Sequence, residues 1–75
     1  MLNKFERSVD KAKENYRKEK YNKPKYIIMN KKTLFKIKDK LCIKKLFGLV
    51  EKITYKGLYI AIDNELENYE FVITG

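Results

Sequence analysis

Residues 50–63 read VEKITYKGLYIAID, and this stretch decides the fold. Two runs rich in apolar and β-branched residues, 50–55 and 58–63, flank the dipeptide Lys56-Gly57. Because Gly57 supplies the positive φ that a tight turn requires, the pattern predicts a β-hairpin. Large aliphatic residues occupy every second position from Leu58 to Ile62, so the second strand is predicted to have one strongly apolar face.

A strand and a helix are predicted upstream of the hairpin. The apolar run YIIM at residues 26–29 is typical of a buried strand, and Asn30 after it is typical of a helix N-cap. We expect the helix to span residues 31–42, because Leu34, Ile37 and Leu41 form one apolar line with Phe35 and Cys42 beside it. An alternative extends the helix through Ile43, Leu46 and Phe47 until Gly48 caps it.

An amphipathic helix is predicted at residues 2–21, and Pro24 marks its end. Its apolar residues recur at spacings of three and four and form a narrow seam, namely Leu2, Phe5, Val9, Ala12 and Tyr16. One interpretation packs this seam on the edge of the domain's own sheet. The other leaves it as a protein-binding or self-association element with Phe5 and Tyr16 as anchors.

The predicted element order is α-β-α-β-β-β, which is typical of an α+β fold. Tyr69, Phe71 and Ile73 alternate with polar neighbours and predict the last strand. We expect a mixed or antiparallel sheet of about four strands covered by helices. The chain of 75 residues is predicted to form a single domain, 1–75, with a compact core at 24–75 and the helix 2–21 packed on it or projecting from it.

Charge and cysteine content limit the cellular setting and the partners. The only cysteine is Cys42, so no intrachain disulfide is possible, and a cytoplasmic location is expected. No apolar run approaches the length of a membrane span. The net charge is +8 and uneven: residues 1–45 carry sixteen basic against five acidic residues, whereas residues 46–75 carry two against five.

The basic residues predict nucleic-acid binding as one possible function. Lysines share a predicted helix face or lie close to it in sequence, and these candidates are Lys32, Lys36, Lys40, Lys23, Lys25 and Lys31. Since only two of the eighteen basic residues are arginine, the usual reader of guanine, such binding would be weakly sequence-specific. The competing interpretation is compositional, because Lys, Ile, Asn and Tyr all have AT-rich codons and a solvated lysine face needs no ligand.

Nothing in the sequence predicts catalysis. There is no histidine, the commonest general base, and Cys42 on the apolar side of a predicted helix is expected to be a buried thiol. The acidic run Asp63, Glu65, Glu67 and Glu70 lacks the spacing of a calcium loop and is interpreted as solvated. We therefore expect no enzyme activity, no cofactor, no metal and no small-molecule substrate.

Three segments resemble tailed-phage major capsid proteins. Residues 26–30 (YIIMN), with Thr33 and Ile37 after them, resemble a strand and helix of that family. Residues 55–63 look like its hairpin, and residues 70–75 (EFVITG) are similar to its closing strand, so the resemblance covers residues 24–75. Capsid proteins are several times longer, so the resemblance implies a small detached module of phage or prophage origin in a bacterial host.

Together these observations predict a non-catalytic accessory protein that binds a protein partner or itself. The alternative is a nucleic-acid-binding protein of low sequence specificity that uses the lysine-rich helix face. The two hypotheses place the binding site on different surfaces, since the first uses the seam of the N-terminal helix and the second uses the lysines of the second helix.

Overall fold

The computed structural model describes residues 2–46 and 48–75, together with the side chains of all of these except residues 2, 3, 44–46, 50 and 51. The described residues form two α-helices, one short 3₁₀ helix and five strands. In chain order these are α1 (Leu2–Lys20), β1 (Tyr26–Met29), α2 (Lys31–Lys36), the 3₁₀ helix (Lys38–Lys40), β2 (Cys42–Leu46), β3 (Leu49–Tyr55), β4 (Leu58–Ile62) and β5 (Val72–Thr74).

The five strands form one mixed sheet in the order β2-β3-β4-β1-β5. The first strand pairs in parallel with β4, placing Tyr26 beside Tyr59, and the other pairs are antiparallel. The predicted α+β class, with its mixed sheet and helices, is confirmed. The predicted strands at 26–29 and within 50–63 are present, and β2 is an additional strand.

Both helices pack on the same face of the sheet. The core contains Phe5 and Val9 from α1 and Ile37 from the end of α2. These residues meet the inward side chains of three strands in a single cluster, which adds Ile27, Met29, Tyr55 and Leu58. The opposite sheet face is covered by neither described helix, so the domain has two layers.

The second helix is much shorter than predicted. It ends at Lys36, and Leu41 already has extended geometry with φ −74° and ψ 144°. The expected helix 31–42 is therefore wrong, and so is its extension to Gly48; Phe47 lies outside the described residues. The physical reason is strand pairing: residues from Cys42 onward hydrogen-bond to β3, with Cys42 opposite Thr54 and Ile43 opposite Ile53.

The turn between β3 and β4 has the predicted chemistry. Lys56 and Gly57 adopt φ values of 51° and 81°, so both central residues of the turn are left-handed, as in a type I′ hairpin. Lys56 also contacts α1, because its Nζ lies 3.1 Å from Oδ1 of Asp10 and its carbonyl accepts a hydrogen bond from Nζ of Lys13. The hairpin turn is thus fixed to the first helix.

Candidate binding surfaces

The seam of α1 packs on the protein's own sheet. Val9 is fully buried and Phe5 is only 4% exposed. The Phe5 ring lies 5.5 Å from the Phe71 ring and 6.1 Å from the Tyr55 ring, measured between centroids. Of the two interpretations of the seam, the structure shows the packed one.

This placement corrects the predicted protein-binding residues of α1. Phe5 and Val9 belong to the core and offer no surface to a partner, because the sheet already covers them. Ala12 and Tyr16 are half-buried, and the side chain of Leu2 lies outside the described ones. The expectation that Phe5 anchors an external contact is therefore wrong for this structure.

The six candidate nucleic-acid-binding lysines are all exposed but do not share one face. Lys31, Lys32 and Lys36 lie on α2, whereas Lys40 ends the 3₁₀ helix after the break in helical geometry. Lys23 and Lys25 belong to the segment that leads into β1. The structure thus separates Lys40 from the predicted helix face, keeps Lys31, Lys32 and Lys36 on α2, and places Lys23 and Lys25 before the first strand.

A shallow apolar groove of about 630 Å³, here called the α2 groove, lies beside the second helix. Its apolar walls come from both helical and loop segments and comprise Leu34, Phe35, Leu41 and Tyr69. Its lysines, all exposed, are Lys31, Lys32, Lys36 and Lys38. Phe35 is 64% exposed, and the Lys38 ammonium lies 4.3 Å from the centroid of its ring.

Buried and part-buried hydrogen bonds hold the α2 groove in shape. Asn30 caps α2 as predicted, since its Oδ1 accepts from the Thr33 amide at 2.7 Å. The Asn30 amide group also donates to the Leu66 carbonyl at 2.9 Å, and Thr33 Oγ1 accepts from the Tyr69 amide at 2.8 Å. The loop after β4 is therefore tied to the start of α2, which fixes the two sides of the groove relative to each other.

The second surface, here called the open sheet face, is the side of the sheet opposite the helices. Alternation along the pairs that involve β1 and β4 assigns seven apolar, aromatic or threonine side chains to it: Tyr26, Ile28, Thr54, Tyr59, Ala61, Val72 and Thr74. Tyr26 and Tyr59 are 42% and 41% exposed, and their ring centroids are 5.8 Å apart. Sequence reasoning missed this surface because it depends on which face the helices cover.

The structure also bears on the thiol, on possible metal ligands and on possible membrane helices. Cys42 is exposed on β2, so the expectation of a buried thiol is wrong, because the residue lies on an edge strand and not on a helix. Within residues 2–46 and 48–75 no group of three or more potential metal ligands is gathered. No helix in this part of the chain is both long and apolar enough to cross a membrane.

One buried polar atom has no partner among the described residues, namely the hydroxyl of Tyr55. Burial raises the pKa of Tyr55 to about 12, and the nearby carboxylates of Glu6 and Asp10 add to the rise. The hydroxyl belongs to the core beneath α1, away from both surfaces described above. It bears on stability and not on binding.

Comparisons of the chain with protein-family models, with curated proteins and with solved structures find no match.

Proposed function

We propose that this chain is a non-catalytic binding protein whose α2 groove receives an acidic segment of a protein partner. The observation that carries the proposal is the combination, in one groove, of apolar walls and four exposed lysines. A volume of about 630 Å³ falls within the usual range for pockets that hold large apolar groups. The groove would take an aromatic or aliphatic anchor while the lysines pair with neighbouring carboxylates.

Charge sets the orientation of the proposed ligand. None of the described residues that line the groove is acidic, whereas the loop on its far side carries Glu65, Glu67 and Glu70. Carboxylates of the ligand are therefore attracted towards α2 and repelled from the loop. Such complementarity contributes specificity and a fast association rate more than affinity.

Two further observations support a binding role over a catalytic one. The chain contains no histidine, and its exposed Cys42 lies outside the lining of the groove. The resemblance of residues 24–75 to capsid-protein elements supports a second part of the proposal, an origin among small accessory proteins of phages or prophages. In that setting the partner would be a phage or host protein.

Fluorescence anisotropy with synthetic peptides tests the groove. The probe is a labelled peptide of glutamates around a central Phe-Leu pair, and the matched peptides replace either the glutamates by lysines or the Phe-Leu pair by serines. We expect saturable binding of the first peptide only. Phe35→Ala and Lys36→Glu should each weaken it by about tenfold, which corresponds to roughly 1.4 kcal/mol.

The control for charge is Lys11→Glu, which changes the net charge equally but affects an exposed residue of α1 outside the groove. This variant should bind the acidic peptide as the parent chain does, apart from a small long-range effect that salt screens. Equal weakening by Lys11→Glu and Lys36→Glu would contradict the proposal, as would absence of saturable binding. Displacement of the peptide by duplex DNA would favour phosphate binding at the same lysines.

A further inference from the structure

The open sheet face is an uncovered surface at the centre of the sheet. Tyr59 lies on β4, the middle strand, and Tyr26 lies directly beside it on β1. In a two-layer domain this face meets solvent, and Val72 on the neighbouring β5 is also exposed. A contiguous exposed apolar surface of this kind marks an interaction site more often than chance.

The two tyrosines form a pair with a specific geometry. Their rings are tilted by 39° at a centroid separation of 5.8 Å, and the Lys52 ammonium lies 4.9 Å from the centre of the Tyr59 ring. Adjacent exposed aromatic rings on a sheet face provide a surface on which planar groups stack. The ammonium lies against the Tyr59 ring, as in a cation–π contact.

We propose that the open sheet face binds single-stranded nucleic acid, with bases stacked on Tyr26 and Tyr59 and phosphates attracted by the positive charge of the chain. Charge complementarity selects this ligand. The chain carries a net charge of +8, and no described side chain of the face is acidic. Exposed Lys23 and Lys25 precede Tyr26 in the chain and add positive charge at the edge of the same region.

The same charges disfavour the other occupants of an apolar face. A second copy of the chain would bring another net charge of +8 against the first. Duplex DNA hides its base faces within the helix, so it offers phosphates but nothing for the tyrosines to stack on. Single strands present both phosphates and unstacked bases, and stacking tolerates any base, so recognition would depend weakly on sequence.

The test uses the full chain with a labelled oligothymidylate of about 12 nucleotides, a length within the range that one stacking surface covers. Binding is measured by anisotropy at about 50 and 200 mM salt, beside a duplex of equal length. Because the chain has six tyrosines and no tryptophan, quenching of tyrosine fluorescence provides a second readout. We expect the single strand to bind more tightly than the duplex and its affinity to fall with salt.

Variants of the two tyrosines separate stacking from charge. Tyr26→Ala and Tyr59→Ala should each weaken binding by about 5- to 150-fold, the range found when one stacked base loses its aromatic partner. Tyr26→Phe and Tyr59→Phe keep the ring and should retain binding. The matched control is Tyr21→Ala, because Tyr21 is 91% exposed and lies just after α1, outside the strands.

Several results would overturn the proposal. Equal affinity for single strand and duplex, with Tyr59→Ala no weaker than Tyr21→Ala, would show that lysines bind phosphates without stacking. No binding at low salt would exclude nucleic acid as the ligand. A concentration-dependent dimer in sedimentation that Tyr59→Ala abolishes, without oligonucleotide binding, would show that a second copy occupies the face. Thermal melts of the alanine variants identify any loss of binding that comes from unfolding, and in that case the affinity of the parent chain for single strand against duplex decides the question.

Discussion

At the scale of single residues, Tyr55 combines the largest fully buried side chain with an unsatisfied hydroxyl among the described residues. Its ring stacks on Phe5 and so fixes α1 to the sheet. Its hydroxyl, however, has been removed from water without gaining a described partner, which costs free energy. The ring of Tyr55 therefore stabilises the fold, whereas its unpaired hydroxyl destabilises it.

Tyr55→Phe is expected to raise the free energy of unfolding at neutral pH by about 1 kcal/mol, because the substitution keeps the buried ring and removes the unpaired hydroxyl.

The parent chain should also lose stability at alkaline pH. The folded pKa is about 12, above the ordinary tyrosine value of 10, so stability is complete below pH 10 and declines as the pH rises towards 12. The difference between the two pKa values corresponds to at most roughly 3 kcal/mol.

Denaturant titrations of both proteins between pH 8 and about pH 11.5 measure this effect, since the difference between them isolates Tyr55 from the other tyrosines and the lysines. The control is Tyr59→Phe, which removes a hydroxyl from a ring that is 41% exposed. It should behave as the parent chain does. Parallel stability curves for the parent and Tyr55→Phe would contradict the burial argument.

At the scale of elements, the junction between β1 and α2 organises the loop that follows β4. Thr33 is buried, and its Oγ1 accepts the amide of Tyr69, a non-glycine residue with a φ of 64°. A left-handed tyrosine is costly and persists only where its surroundings hold it. The Thr33 hydroxyl therefore fixes one wall of the α2 groove.

Thr33→Val should lower the free energy of unfolding by about 1–3 kcal/mol, because the isosteric methyl leaves the Tyr69 amide without its acceptor. Amide hydrogen exchange followed by NMR should show loss of protection at Tyr69. Thr33→Ser is the matched control: it loses a methyl group, worth about 0.8 kcal/mol, but keeps the acceptor and the protection. Equal protection in the two variants would show that this hydrogen bond does not hold the loop.

Comparison of two glycines shows which elements the sequence predicts. At Lys56-Gly57 the flanking strands alternate clearly, so the turn was predicted correctly. Gly48 also has a positive φ, 79°, but that geometry suits a helix cap and a hairpin equally. The apolar spacing of Leu34, Ile37 and Leu41 favoured the helix, although β2 pairs with β3 across Gly48. Tertiary pairing decided between two local interpretations that sequence alone leaves equal.

The sequence predicts part of each candidate surface, and the rest depends on how distant segments come together. Spacing predicts that Lys32 and Lys36 share a helix face, and the exposed Phe35 lies on the second apolar line predicted for that helix. The groove itself requires Tyr69 and Leu41, which reach it through the loop after β4 and the chain after the 3₁₀ helix. The tyrosine pair requires the parallel register of β1 and β4, which no local pattern encodes.

At the scale of the whole molecule, α1 completes the core, although its apolar seam is narrow. Without α1 the inward face of the sheet would lose the side chains that cover Tyr55 and Phe71. A domain of 75 residues has a small margin of stability, since chains of this size bury only about 60% of their unfolded surface. The seam therefore contributes to the stability of the fold, because its buried residues pack on the sheet and not on an external partner.

Deletion of residues 1–21 is accordingly expected to abolish the cooperative thermal transition, followed by circular dichroism. The deletion exposes the inward sheet face and removes two core residues, Phe5 and Val9. The single change Phe5→Ala should act in the same direction, lowering the free energy of unfolding by about 3–5 kcal/mol, which is a large part of the total for a small domain. The control Glu14→Ala changes an exposed residue of α1, whose ion pair with Lys18 is on the surface and contributes at most about 0.5 kcal/mol. A truncated chain that melts cooperatively as a monomer would show that α1 is an external element after all, and its seam would again be the candidate surface for a partner.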